Sequence, residues 1–384
     1  MSPMPGADLR IEEASSSDRT ALEEALGRVL RVPVHLRLKW THLVQASVQA
    51  LLLVYWAVYS RGARTQLRTI AALVVFAFAF DHLVSRLRYR SWIVSLAPIP
   101  LVFSANLFVW FEPRTAFLSY AVVALALASK HLVHRGGRHV FNPSAFGVCA
   151  VGVLCLAAPQ RFGELDLAHP LNITPNMLEL VLFVGLVSMV RMPLVLMSLG
   201  AFATGLALPE LAHGVSVPAV LWTPVFLGIT LLITDPATTP REPLAQVAFG
   251  ALYMLAFTVL ALALEGYGRN EHWAKMLAVL PMNLLAPSLD RLAARVPVVV
   301  PLRLLGPRWN FAHVVLWIVV VTQSVSPATK ARFYEGDLAA RQRIAHTRLG
   351  PDGRASCREN PVFCTPFSFG AEWSMWRSGR VAGP

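Results

Sequence analysis

Charged side chains inside apolar runs are the first candidates for chemistry in this chain, because burying charge away from water is costly and is usually tied to function. Asp81, with His82 beside it, stands in an apolar run at about residues 69–85, where a carboxylate can bind a proton or line an ion path. Lys130 and His131 end a run at about 116–133 and read as side chains that snorkel to the surface, while Glu179 and Arg191 bracket a later run. The stretch HRGGRHVFNPSAFG, from His134 to Gly147, combines glycines and basic residues with the pair Asn142-Pro143. Pro143 lacks a donor and bars the helical conformation to Asn142. Arg135 and Arg138 supply guanidinium groups suited to a phosphate or an anionic headgroup. A second break of the same kind, Thr234-Asp235-Pro236, lies in LLITDPATTPREP. Interrupted helices of this sort expose backbone donors and carbonyls that can hold a ligand or an ion. That makes Asn142, Pro143, Thr234, Asp235 and Thr238 binding candidates. Turn chemistry alone offers the plainer alternative of two tight connections between helices. His131, His134 and His139 are spread across a loop, which favours phosphate or lipid contact over haem or metal.

The elements that must position these residues are apolar. Of 384 residues, 55% are hydrophobic and 15% charged, and the mean hydropathy is +0.53. Soluble domains carry roughly 25% charged residues. Apolar runs recur at about 41–60, 69–85, 91–111, 116–133, 144–158, 177–192, 194–209, 217–234, 244–264, 274–289 and 310–326. A bilayer crossing takes roughly 20 residues. The fold expected is therefore all-α, a polytopic integral membrane protein of about ten or eleven transmembrane helices in two related halves. Residues 1–38 form a polar lead-in with a short amphipathic helix. Residues 39–326 form the membrane domain, and 327–384 a polar tail.

The net charge of +12 comes from arginines clustered between apolar runs, which fits orientation against anionic lipid and gives nucleic-acid binding no role. With the amino terminus in the cytoplasm, the Arg-bearing loops at 86–90, 131–143, 235–243 and 290–308 fall inside; the loop at Arg61–Arg68 is the exception. Both proline breaks then lie on the inner side and the tail outside. Cys149 and Cys155 read as packing residues; Cys357 and Cys364, in the tail, could pair as a disulfide in an oxidising compartment. No cysteine–histidine spacing makes a metal site.

Four stretches, FNPSAFG (Phe141–Gly147), LGITLLITDPATTP (Leu227–Pro240), FGAL (Phe249–Leu252) and AVLPMNLLAPSLD (Ala278–Asp290), resemble in type, order and spacing the family of the D subunit of the Rnf electron-transport complex and the B subunit of the sodium-pumping NADH:quinone oxidoreductase. The resemblance covers roughly residues 70–290. It implies a multi-helix subunit of the bacterial inner membrane that binds flavin, FMN or riboflavin, and passes electrons to other membrane or periplasmic redox subunits of an ion-pumping complex. Such relatives carry FMN on a threonine of an outer loop, and the matching position is Thr174 in LNITP. Leu171, Asn172 and Ile173 stand where that motif has Ser, Gly or Gln, and Ala, which argues against covalent attachment here. A non-redox transporter of a flavin-like or other small molecule, and a scaffold subunit, remain the alternatives on the same fold.

Overall fold

The computed structural model describes residues 20–29, 33–59, 61–111, 113–135, 138–162, 177–211, 223–269, 273–297 and 299–324. It is 79% helical. A helix at residues 20–29 (α1) leads to strand β1 (Val34–Arg37). There follow α2 (Trp40–Tyr59), α3 (Arg61–Tyr89), strand β2 (Trp92–Ser95), α4 (Pro98–Phe108) and α5 (Phe117–Leu132). A hairpin, β3 (His134–Arg135) and β4 (Arg138–His139), opens on α6 (Pro143–Ala157) and the short α7 (Pro159–Phe162). The remainder comprises α8 (Met177–Arg191), α9 (Val195–Leu211), α10 (Thr223–Leu227), α11 (Pro243–Gly266), α12 (Ala274–Leu277), α13 (Val279–Ala293), α14 (Val300–Arg303) and α15 (Asn310–Ser324).

Among the described residues, three helices are long and apolar enough to cross a membrane, at Trp40–Val58, Gly62–Tyr89 and Pro243–Gly266. Five shorter apolar helices of 10–17 residues lie among them. The long helices bury only 22–33% of their most apolar windows, leaving side chains such as Val75, Val259 and Leu262 exposed. Large apolar surface on such helices has no favourable place in water.

Three expectations about segment ends are corrected. Residues 86–89 form the last turn of α3, which runs to Tyr89, and not a loop. Residues 61–68 are not a loop: α3 begins at Arg61, directly after residue 60. Arg64 makes the tight reversal work, because its guanidinium donates to the carbonyls of Ala57 (3.2 Å) and Val58 (3.1 Å) that end α2 without intrahelical partners. The run at 91–111 is not one helix. It opens as β2, which pairs in parallel with β1 (Val34 opposite Trp92), and turns helical only at Pro98. Four short strands thus accompany the helices.

The core is a continuous apolar cluster with aromatic centres. Trp56 stacks on Trp110 at 4.1 Å between ring centroids, and Phe202, Phe226 and Trp317 pack together. Two helix pairs approach so closely that only glycine fits. A Cβ on Gly147 of α6 would collide with the Val122 carbonyl of α5, and one on Gly250 of α11 with the Met197 carbonyl of α9. Both neighbours are backbone and cannot swing aside. Gly250→Val should therefore cost more than the roughly 1–3 kcal/mol typical of overpacking, read as a thermal midpoint of the detergent-purified protein several degrees lower or as loss of the folded species. An unchanged midpoint would show that α9 and α11 are not this close.

Candidate functional site

Asn142 precedes proline and adopts φ −57°, ψ 116°, the extended backbone such a position prefers. Its side-chain oxygen caps α6, accepting from the Ala145 amide (3.3 Å) and the Ser144 hydroxyl (2.8 Å). Its side-chain amide donates to the Leu232 carbonyl (3.0 Å), and its backbone amide donates to Asn283 Oδ1 (3.0 Å). Asn142 is 6% exposed and Asn283 3%, so these bonds lie inside the protein. Ser144 continues the chain of polar groups to Ser104 of α4 at 3.1 Å.

The second break begins as a π-helix that ends at Leu232, whose carbonyl is available because the residue four positions on is Pro236, which has no N–H. Residues Gly228–Leu232 hydrogen-bond with the wider spacing, Ile233 N donating to Gly228 O at 3.2 Å. Ser198 of α9 takes up the Ile229 carbonyl at 2.6 Å, while Thr230 and Thr234 bond back to the turn before them. Asp235 then folds TDPATTP into a turn, accepting from the Ala237 amide at 3.0 Å, and the Thr238 amide and hydroxyl point at its carbonyl. Asp290, at the far end of α13, accepts from the Arg241 and Glu242 amides at 2.8 and 2.9 Å and so closes the start of α11.

The two breaks also meet at the rim. Arg138 donates to the Pro236 carbonyl, and His139 Nε2 donates to Asp235 Oδ2 at 3.3 Å. In the hairpin, His134 lies opposite His139 and Arg135 opposite Arg138. Arg135 is exposed, so its guanidinium faces outward from this rim.

Asp81 anchors a separate polar site between α3 and α5. It is 1% exposed and accepts from His131 Nε2 at 2.7 Å, with Lys130 Nζ at 3.5 Å. His131 does not snorkel: it turns inward, 7% exposed, with the Tyr89 ring edge-on at 5.8 Å. A carboxylate flanked by an imidazole and an ammonium, shielded from water, can hold and exchange a proton between oxygen and nitrogen. His82 donates instead to its own helix, at Phe78 O.

The sequence-derived residues thus divide. Asn142, Pro143, Thr234, Asp235, Thr238, Arg138 and His139 come together, and Asp81 joins His131 and Lys130 elsewhere. Thr174, Cys357 and Cys364 lie outside the described residues. Among the described residues, no group of three or more His, Cys, Asp or Glu side chains could hold a metal ion. Three contributors escaped residue-by-residue reading. Asn283 and Asp290 lie within AVLPMNLLAPSLD, and their role becomes visible only when α13 packs beside both breaks. Lys275 is the third: it is 1% exposed, its Nζ has no hydrogen-bond partner among the described residues, and the Phe108 ring lies 5.8 Å away. A charged residue within an apolar run was the available signal, the same one that marks Asp81. No protein-family model matches the chain, and no curated protein is significantly similar to it.

Two substitutions test this geometry. Asn142→Ala strands the Leu232 carbonyl and removes the α6 cap while leaving the backbone bond to Asn283 in place, which should cost about 2–4 kcal/mol and lower the thermal midpoint accordingly. A midpoint within a degree of wild type would show that the two breaks are not joined through this side chain. Lys275→Met removes a buried amine without a partner and keeps the packing volume, so the midpoint should rise by at least about 2 °C. A fall would reveal a stabilising contact at Nζ.

Proposed function

We propose that the chain is a polytopic subunit of an Rnf- or Nqr-like redox system in the bacterial inner membrane, with ten or eleven spans in two related halves. In this reading it binds a flavin, relays electrons to membrane or periplasmic partner subunits, and couples that relay to ion movement. The observation that carries the reading is the meeting of the resembling stretches at one junction. FNPSAFG supplies Asn142 and Gly147, LGITLLITDPATTP supplies Leu232 and Asp235, and AVLPMNLLAPSLD supplies Asn283 and Asp290. FGAL supplies Gly250, which lets α11 lie against α9. Three separated pieces of a resemblance that interlock physically are better support than the same pieces scattered over a surface.

The donor set fits the phosphate of FMN better than it fits the ring. Arg135, exposed beside Arg138 and His139 at the rim, offers charge-assisted donors of the kind that hold phosphate. The inward polar groups of Asn142, Thr234 and Thr238 are engaged with the protein's own backbone, so they hold the two breaks in register. The cavity lined by Leu73, Ala105, Asn106 and Phe111 has a volume of about 10 Å³, room for about one water molecule and not for a cofactor. A bound flavin would supply one- and two-electron chemistry. In this scheme Asp81 and His131 hold the proton or cation that moves with the electrons, and the low exposure of Asp81 keeps that exchange from short-circuiting to water.

The test is a flavin balance on protein purified from membranes. The expected result is a band that stays dark under ultraviolet light in a denaturing gel, with flavin fluorescence in the supernatant after denaturation and retained in Thr174→Ala. A fluorescent band abolished by Thr174→Ala would make the attachment covalent. Flavin in neither fraction, also with a flavin transferase co-expressed, would overturn the redox reading and move small-molecule transport or scaffolding ahead.

A further inference from the structure

At one corner of the bundle, β1 pairs in parallel with β2 and ties the chain before α2 to the chain after α3. Residue 60 alone separates α2 from α3, and because β1 before α2 pairs with β2 after α3, the two helices return the start of α2 and the end of α3 to the same corner. They differ in length, 20 residues against 29, so the end of α3 projects roughly 14 Å past Trp40 at a rise of about 1.5 Å per residue. Polar and apolar groups are ordered along this direction. Trp40 is 66% exposed at the start of α2, while Arg86, Leu87, Arg88, Tyr89 and Arg90, all exposed, occupy the projecting end. Arg37 and Lys39 are exposed on the strand and its exit.

Nothing in the described fold neutralises this corner. Among the described residues, Arg37, Lys39, Arg86, Arg88 and Arg90 form no ion pair. The nearby acids are committed elsewhere, Asp81 to His131 and Lys130, and Glu23 to the Leu36 amide at 2.6 Å. The backbone gives a second, independent mark. Arg90 has φ +53° and ends α3 with its amide on the Arg86 carbonyl, a left-handed closing position that glycine or asparagine fills with less strain. A side chain kept there against its backbone preference points to a task for the guanidinium.

We propose that this corner is a binding site for an anionic phospholipid. Arg88 and Arg90 at the projecting end grip the headgroup phosphate, Lys39 adds to the positive field nearer the indole, and Trp40 packs along the upper acyl chain. The inference rests on α2 and α3 crossing a bilayer, as proposed above. The vertical order carries the choice of lipid as occupant: an interfacial tryptophan lies on the hydrocarbon side and a cationic cluster lies beyond it, at headgroup depth. A soluble anion would have no use for the exposed indole.

The test uses full-length protein in detergent micelles, titrated with phosphatidylglycerol, phosphatidylcholine or inorganic phosphate and followed by thermal midpoint and native mass spectrometry. Phosphatidylglycerol should bind and raise the midpoint, while the other two should not. Lys39→Gln/Arg88→Gln/Arg90→Gln should weaken phosphatidylglycerol binding about a hundredfold, and Arg90→Gly about fivefold. Without lipid, Arg90→Gly should melt at the wild-type temperature or above, which separates the charge from the fold. Equal affinity for the two lipids, phosphate binding as tight as phosphatidylglycerol, or full affinity in the triple variant would each overturn the assignment. Failure of the membrane reading shows differently, as release of the protein from native membranes by alkaline carbonate.

Discussion

One side chain holds the two interrupted parts of this fold together. Asn142 cannot be helical because proline follows it, and that restriction frees its amide and side chain to bond outside its own segment. Its side chain caps α6 and reaches the Leu232 carbonyl left free where the second helical run ends, and its backbone amide donates to Asn283 of α13. Buried backbone groups that lose their helical partners must find others. Here each break supplies what the other lacks, a donor from the first and a carbonyl from the second. The mutual dependence explains why Asn142, Leu232 and Asn283 are buried together while Arg135 and Pro236 stay at the surface.

Around that junction, close helix approach does the rest. Gly147 and Gly250 let α6 and α11 lie against carbonyls of α5 and α9, so the breaks are held by packed helices and not by hydrogen bonds alone. Asp290 then stops α13 against the start of α11, and Arg64 closes α2 against α3. In each case a long-range or cross-turn side chain satisfies a helix end that would otherwise be unpaired. The Asp81–His131–Lys130 site is of a different kind. It ties α3 to α5 through charge, and a buried carboxylate with two basic partners is a place where protonation can change without unfolding.

Much of this was legible from residue types. The apolar runs predicted helices where helices are found, and the clash of glycine, proline and charge with those runs located both breaks. The burial cost of a carboxylate marked Asp81 as unusual. Segment ends were less legible: Arg64 turned an apparent loop into the first turn of α3, and the pairing of β1 with β2 made the start of an apolar run extended. Both effects depend on partners distant in sequence or across a turn, which periodicity does not register. His131 was misjudged for the same reason, since its inward turn answers Asp81, fifty residues earlier.

Composition and local chemistry by themselves determined that the chain is helical and apolar, that Asn142 and Asp235 stand at breaks between helical runs, and that its basic residues gather between those runs. These follow from transfer energies and backbone sterics, which act within a few residues. The tertiary structure alone decided that the two breaks interlock, that Asn283 and Asp290 belong to them, and that Lys275 is enclosed without a partner. Those outcomes depend on which helices become neighbours. That choice is set by close packing at Gly147 and Gly250 and by the need to satisfy buried donors and carbonyls, neither of which can be counted until the chain is folded.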